Sequence, residues 1–135
     1  MTIKELLHSL PINFRHEKTF LIQNNVFSLD YLCQLTDNEI NGILRDYPLC
    51  TLNNLKKIRA IAIFKKEISI PPSEGYLLLH CGIGSIKSLS QLTPYELEQK
   101  IMRLERILRV RTETNITLSA LKDWINKAQQ ICKSY

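Results

Sequence analysis

The chain has 135 residues, with 18 Lys or Arg against 13 Asp or Glu, for a formal charge of +5. A hydrophobic fraction of 44% and a charged fraction of 23% exclude a disordered chain, and 4 Gly and 5 Pro exclude long low-complexity linkers. No run reaches the roughly 20 apolar residues that span a bilayer, and Met1-Thr2-Ile3-Lys4-Glu5-Leu6 lacks the basic-then-apolar pattern of a secretory signal.

In chain order, the apolar stretch ending at Gln23 predicts a first helix, followed by a tight turn at Asn24-Asn25. Ser28 is placed to cap a short second helix running to Leu35, and Thr36-x-x-Glu39 is a capping box opening a third. Thr51 caps a fourth, on which Leu55, Ile58, Ile61 and Ala62 share one face. Its apolar pattern runs on through Phe64 towards Ile68 and Ile70, which suits a stiff connection to the second half of the chain.

The same punctuation then recurs. After Pro71-Pro72, a helix ending at His80 leads into a turn at Cys81-Gly82. Ser85 caps a helix to Leu92, and Thr93-Pro94-x-Glu96 is a second capping box, with Pro94 at the first helical position. Thr117 caps a last helix carrying Leu121, Trp124, Ile125 and Ala128 on one face. Residues 21–44 align on 78–101 without a gap at an offset of 57. Gln34-Leu35-Thr36 meets Gln91-Leu92-Thr93, and Glu39 meets Glu96. Upstream, Glu17 meets Glu74; downstream, Thr51-Leu52 meets Thr117-Leu118 and Ile58 meets Trp124 at an offset of 66. The second copy therefore carries nine extra residues, near 102–116. Strand signals are almost absent. The expected architecture is all-α: a first helical repeat over residues 1–67 and a second over 68–135, of four to five helices each, packed together because one copy is near the lower limit for an unaided core.

The chemistry of sites is sparse. Cys33, Cys50, Cys81 and Cys132 form no Cys-x-x-Cys pair, which argues against a zinc knuckle or a dithiol redox centre and for reduced thiols acting as small core hydrophobes. His80 and Cys81 are sequence neighbours, and neighbours on a helix do not face each other as a base and a nucleophile must. No Gly-rich phosphate loop, Gly-x-Ser-x-Gly elbow or His-Glu-x-x-His is present. No catalytic residue, cofactor or metal is expected, and the chain reads as a non-enzyme of an intracellular, reducing compartment, cytoplasm or plastid stroma.

Charge is concentrated. Residues 51–66 hold Lys56, Lys57, Arg59, Lys65 and Lys66 with no acid, a charge of +5, whereas residues 1–50 sum to −2. Such a segment is either a phosphate-backbone footprint or a solvated helix face. On the third helix of the second copy, Lys100, Arg103 and Arg106 recur at i, i+3 spacing among Glu96, Glu98 and Glu105. The extra residues bring Leu104, Ile107, Leu108 and Val110 near one another, as an enlarged core or as a docking patch.

The stretch Leu79-His80-Cys81-Gly82-Ile83-Gly84-Ser85-Ile86 resembles a helix-hairpin-helix motif, in which Gly-hydrophobic-Gly forms the hairpin. The longer pattern Gly82-Ile83-x-Ser85-Ile86-x-x-Leu89-x-x-Leu92-Thr93-Pro94-x-Glu96-Leu97 is distantly similar to the helical domain closing the RNA polymerase α-subunit. It resembles more closely the family known as domain of unknown function 4332, found notably in cyanobacteria and plastids. That resemblance implies a SAM-like, hairpin-containing fold, an architecture used both by DNA binders and by protein-interaction modules. It also implies that the hairpin N–H groups can approach a phosphate. The first copy departs from the pattern, with Asn24-Asn25-Val26-Phe27 where the second has Cys81-Gly82-Ile83-Gly84.

Two functions are expected on these grounds. The first is a protein-interaction or scaffold module within a larger assembly, with Arg103, Arg106, Ile107 and Val110 as contacts for a protein partner. The alternative is sequence-independent DNA binding through Gly82, Ile83, Gly84, Ser85 and Lys87 of the hairpin and Lys56, Lys57 and Arg59 of the basic helix.

Overall fold

The computed structural model describes residues 3–23, 28–108 (the side chains of 107 and 108 excepted) and 116–133. Among these residues every regular element is helical and no strand occurs. The chain divides into two compact units, Met1–Ser73 and Glu74–Tyr135.

The first unit contains α1 (Ile3–His8), a 3-10 turn at Ile12–Phe14, α2 (Arg15–Gln23), α3 (Leu29–Gln34), α4 (Asp37–Leu44) and α5 (Leu52–Ile68). The last of these organises the unit. Its residues Leu55, Ile58, Ile61 and Ala62 are all buried, and α3 and α4 both pack against it. Fully burying a side chain such as Ile58 stabilises by about 1.5–3 kcal/mol. α1 precedes the point where the sequence repeat is recognisable, yet it inserts Leu6 and Leu7 into the core. α5 stops at Ile68 rather than running straight to Ile70. Ser69 takes a left-handed conformation at φ 66°, its N–H donates to the Lys65 carbonyl at 3.1 Å, and Ile70 is turned back into the core.

The second unit contains α7 (Ile86–Ser90), α8 (Pro94–Leu108) and α9 (Leu118–Lys133), and takes in all but the first turn of α6 (Pro72–His80). Here α9 is the organising helix. Leu121, Trp124, Ile125 and Ala128 are buried, with α7 and α8 packed on it. α8 has 15 residues where α4 has 8, so part of the extra sequence near 102–116 is a longer helix; residues 109–115, Val110 included, lie outside the described residues.

Six caps set the helix starts. Ser28, Thr36 and Thr51 accept from the N–H groups of Tyr31, Glu39 and Asn54 at 3.1, 3.2 and 3.2 Å. Ser85, Thr93 and Thr117 accept from Ser88, Glu96 and Ala120 at 3.1, 3.1 and 3.2 Å. Glu39 and Glu96 return the bond to the N–H of Thr36 and Thr93, each at 3.3 Å, so both capping boxes are complete. Each such cap is worth about 1 kcal/mol.

The cysteines depart from expectation. All four are free thiols, but Cys33, Cys50 and Cys81 are half-buried and Cys132 is exposed, so none is a fully buried core hydrophobe. Glu17, which in the sequence only extends the repeat upstream to Glu74, is buried. It is 1% exposed on α2, its Oε1 accepts from the Asn54 side-chain amide at 2.7 Å, and its Oε2 has no hydrogen-bond partner among the described residues. The aligned Glu74 of the second unit faces Ala120 in sequence register instead of an asparagine, and burial pushes its carboxyl above the ordinary range.

Candidate functional site

Four surfaces bear on function: the basic helix and a pocket on α2 in the first unit, and the hairpin and the outer face of α8 in the second.

Most cations of α5 lie along the surface of the first unit, beside carboxylates of its neighbouring helices. Arg59 donates from Nη1 to the Leu35 carbonyl at 2.7 Å and from Nη2 to Asp37 Oδ1 at 2.6 Å, leaving its side chain 18% exposed. Lys56 pairs with the other oxygen of Asp37 at 3.1 Å, and Lys66 with Asp30 at 3.2 Å. Three of the five charges of residues 51–66 are therefore met by carboxylates of α3 and α4. Lys57 is exposed and has no ion pair among the described residues. The bonds from Arg59, then Lys56, hold the Asp37 carboxyl below its ordinary value of 3.8. A depressed folded-state value stabilises above that ordinary value and is lost as pH falls through the lowered one. Asp37→Asn is thus expected to lower the urea midpoint at pH 7, and the gap to the native protein should close as pH falls below 3.8. A gap independent of pH would show the pairs to be ornamental.

The hairpin is a helix C-terminus as well as a loop. Gly82 has φ 84°, the region glycine adopts without strain, and its N–H donates to the Leu79 carbonyl at 3.0 Å. The Ile83 N–H donates to the Leu78 carbonyl at 2.9 Å, closing a Schellman motif. Both N–H groups are thus used by α6. The Ile83 side chain is 3% exposed and belongs to the core, whereas Gly84, Ser85 and Lys87 are exposed. A Cβ on Gly84 would meet nothing closer than Leu79 Cδ2 at 3.8 Å, so packing does not demand glycine there. The aligned turn at Asn24–Phe27 lies outside the described residues.

α8 presents a mixed outer face. Tyr95 is 67% exposed and Met102, two turns later on the same face, 42%. Met102 lines a groove of about 180 Å³ with Glu98, Ile101, Glu105, Ile116 and Leu121. Arg103 and Arg106 are exposed on the same helix. Ile107 falls within α8 but its side chain lies outside the described residues, as Val110 does altogether.

The fourth surface carries no sequence signature. In the first unit, His16, Thr19, Phe20 and Gln23 of α2 and the segment Asp46–Cys50 enclose a pocket of about 250 Å³. The Phe20 and Tyr47 rings meet at 4.2 Å between centroids and 51° between planes, and Leu49 is 68% exposed. Burial, and secondarily the charge of Glu17, push the Cys50 thiol up; burial does the same to Cys33 and Cys81, which keeps these thiols from being reactive thiolates.

Among the described residues no group of three His, Cys, Asp or Glu side chains is placed to hold a metal, and no helix is long and apolar enough to cross a membrane. These features define a small all-α protein of two helical units. A family model described as domain of unknown function (DUF4332) matches residues 11–131, and the chain belongs to that family. No curated protein and no solved structure matches it.

Proposed function

We propose that this chain is a non-catalytic protein-interaction module, a scaffold element of a larger assembly, and that it docks through the α8 face of its second unit. The carrying observation is the pairing of exposed Tyr95 and Met102 on one helix face with a groove in which Ile101, Ile116 and Leu121 stand beside Glu98 and Glu105. Large exposed apolar side chains beside a groove are what a partner's side chains cover. Arg103 and Arg106 supply a charged rim, the part of an interface that sets approach more than affinity. The internal pairing of Lys56, Arg59 and Lys66 supports this reading over a phosphate footprint. The test is a photo-crosslinking side chain at position 102, with the same group at position 57 as control, in cells that make the protein. A discrete adduct from 102 alone, lost with Tyr95→Glu, is the expected result; equal adducts from 57 would end the proposal.

Sequence-independent DNA binding keeps one observation in its favour, the exposure of Gly84, Ser85 and Lys87 just after the positive-φ turn. On that reading a band shift at low ionic strength retains duplex DNA, weakens steeply with salt, and disappears in Lys57→Glu/Lys87→Glu. Absence of a complex at low ionic strength rules it out.

A further inference from the structure

The pocket between α2 and Asp46–Cys50 joins a carboxylate to aromatic and aliphatic side chains on a chain whose net charge is +5. Its charged lining is Asp46, with His16 beside it, and neither Lys nor Arg contributes. The chain has four aspartates. Asp30 and Asp37 are paired with α5 cations and Asp123 with Lys127 at 3.1 Å. Asp46 alone of the four has no ion pair among the described residues. Behind the wall lies a second carboxylate, Glu17, with a buried oxygen that no donor among the described residues satisfies and a charge felt at the Cys50 thiol of the lining. Pro48, Leu49 and the Phe20–Tyr47 ring pair supply most of the remaining lining, with the polar side chains of Thr19 and Gln23.

We propose that this pocket seats an arginine side chain of a partner protein, with Asp46 as its counter-ion. The volume of about 250 Å³ is below the roughly 300–1,000 Å³ of small-molecule sites and suits one long side chain. An arginine stem buries its methylenes against Pro48 and Leu49 while its guanidinium reaches a carboxylate and an aromatic ring together. Lysine fits less well, because its ammonium is more strongly hydrated and cannot bond Asp46 through two parallel N–H groups. This extends the interaction reading to the first unit. The crosslink from position 102 concerns only the second, so each can fail while the other stands.

The test is a titration of the full ¹⁵N-labelled chain with acetyl-Gly-Arg-Gly amide and with the same peptide carrying citrulline, lysine or leucine. It is run at pH 8, where an ordinary imidazole is neutral. The arginine peptide is expected to shift amide signals of residues 16–23 and 46–50 saturably, more strongly than lysine, with citrulline and leucine weakest. Asp46→Asn, whose folding the same spectrum verifies, should weaken arginine binding by about tenfold or more. Equal binding of the leucine or citrulline peptide would overturn the assignment. So would an unchanged affinity in Asp46→Asn, or no shift at about 10 mM peptide.

Discussion

Replacing Trp124 with alanine is expected to destabilise the second unit by about 3–5 kcal/mol, the usual loss for an aromatic side chain removed from a packed core. Trp124 is 5% exposed on α9, the helix on which both α7 and α8 pack, so the cavity opens where the unit is joined. At about 0.05–0.15 kcal/mol per residue, a unit spanning residues 74–135 has about 3–9 kcal/mol in all, so the loss is a large share of it. The variant should lose helical circular dichroism at lower urea than the native chain, and limited proteolysis should cut first within residues 74–133. Trp124→Phe, which keeps a ring in the space, should cost less. An unshifted transition in Trp124→Ala would mean that α9 is not what holds the unit together. Because Trp124 is the chain's single tryptophan, its fluorescence in the native protein reports the second unit directly.

The second large effect is expected at Asn54. Its side-chain amide donates to Glu17 Oε1 at 2.7 Å and to the Asn13 carbonyl at 3.2 Å, tying α5 to α2 and to the turn between α1 and α2. Asn54→Ala would leave a buried carboxylate with neither oxygen satisfied, a loss of about 3 kcal/mol or more. Glu17→Met in the same background removes the stranded charge and fills the space with a flexible apolar side chain. The double variant should therefore be more stable than Asn54→Ala alone, a reversal that simple loss of contacts would not produce. Urea titrations of the four proteins measure the coupling. If Asn54→Ala falls within about 0.5 kcal/mol of the native chain, Glu17 is satisfied in some other way.

The features legible in the sequence are those that depend on neighbours along the chain. All six caps join residues three apart, so Ser28, Thr36, Thr51, Ser85, Thr93 and Thr117 announce their helices wherever those helices are later placed. The buried faces of α5 and α9 are readable for the same reason, since the 3.6-residue period is a local property of the helix. The turn after α6 is legible in Gly82, whose positive φ is a local demand.

The candidate sites are less legible, and the reason differs from residue to residue. Lys56 and Arg59 look free in a segment with no acid, but Asp37 reaches both across the α4–α5 contact, 22 residues from Arg59 in sequence. Ile83 reads as part of a binding loop because it stands between two glycines; packing makes it a core residue instead. Asp46 carries no signal at all, since a lone aspartate between helices resembles any other surface charge.

The all-helical class, six helix starts and the apolar faces of the two organising helices follow from residues within about one helical turn of each other, and the family is carried by the linear pattern itself. Which charges are already held depends on packing between distant segments. That packing also buries Glu17, and it sets Asp46 in one pocket with Phe20 and Tyr47, without an ion pair among the described residues. A side chain's net charge is written in its residue type. Whether that charge is neutralised depends on which distant segment folds against it, and the linear pattern carries no record of that.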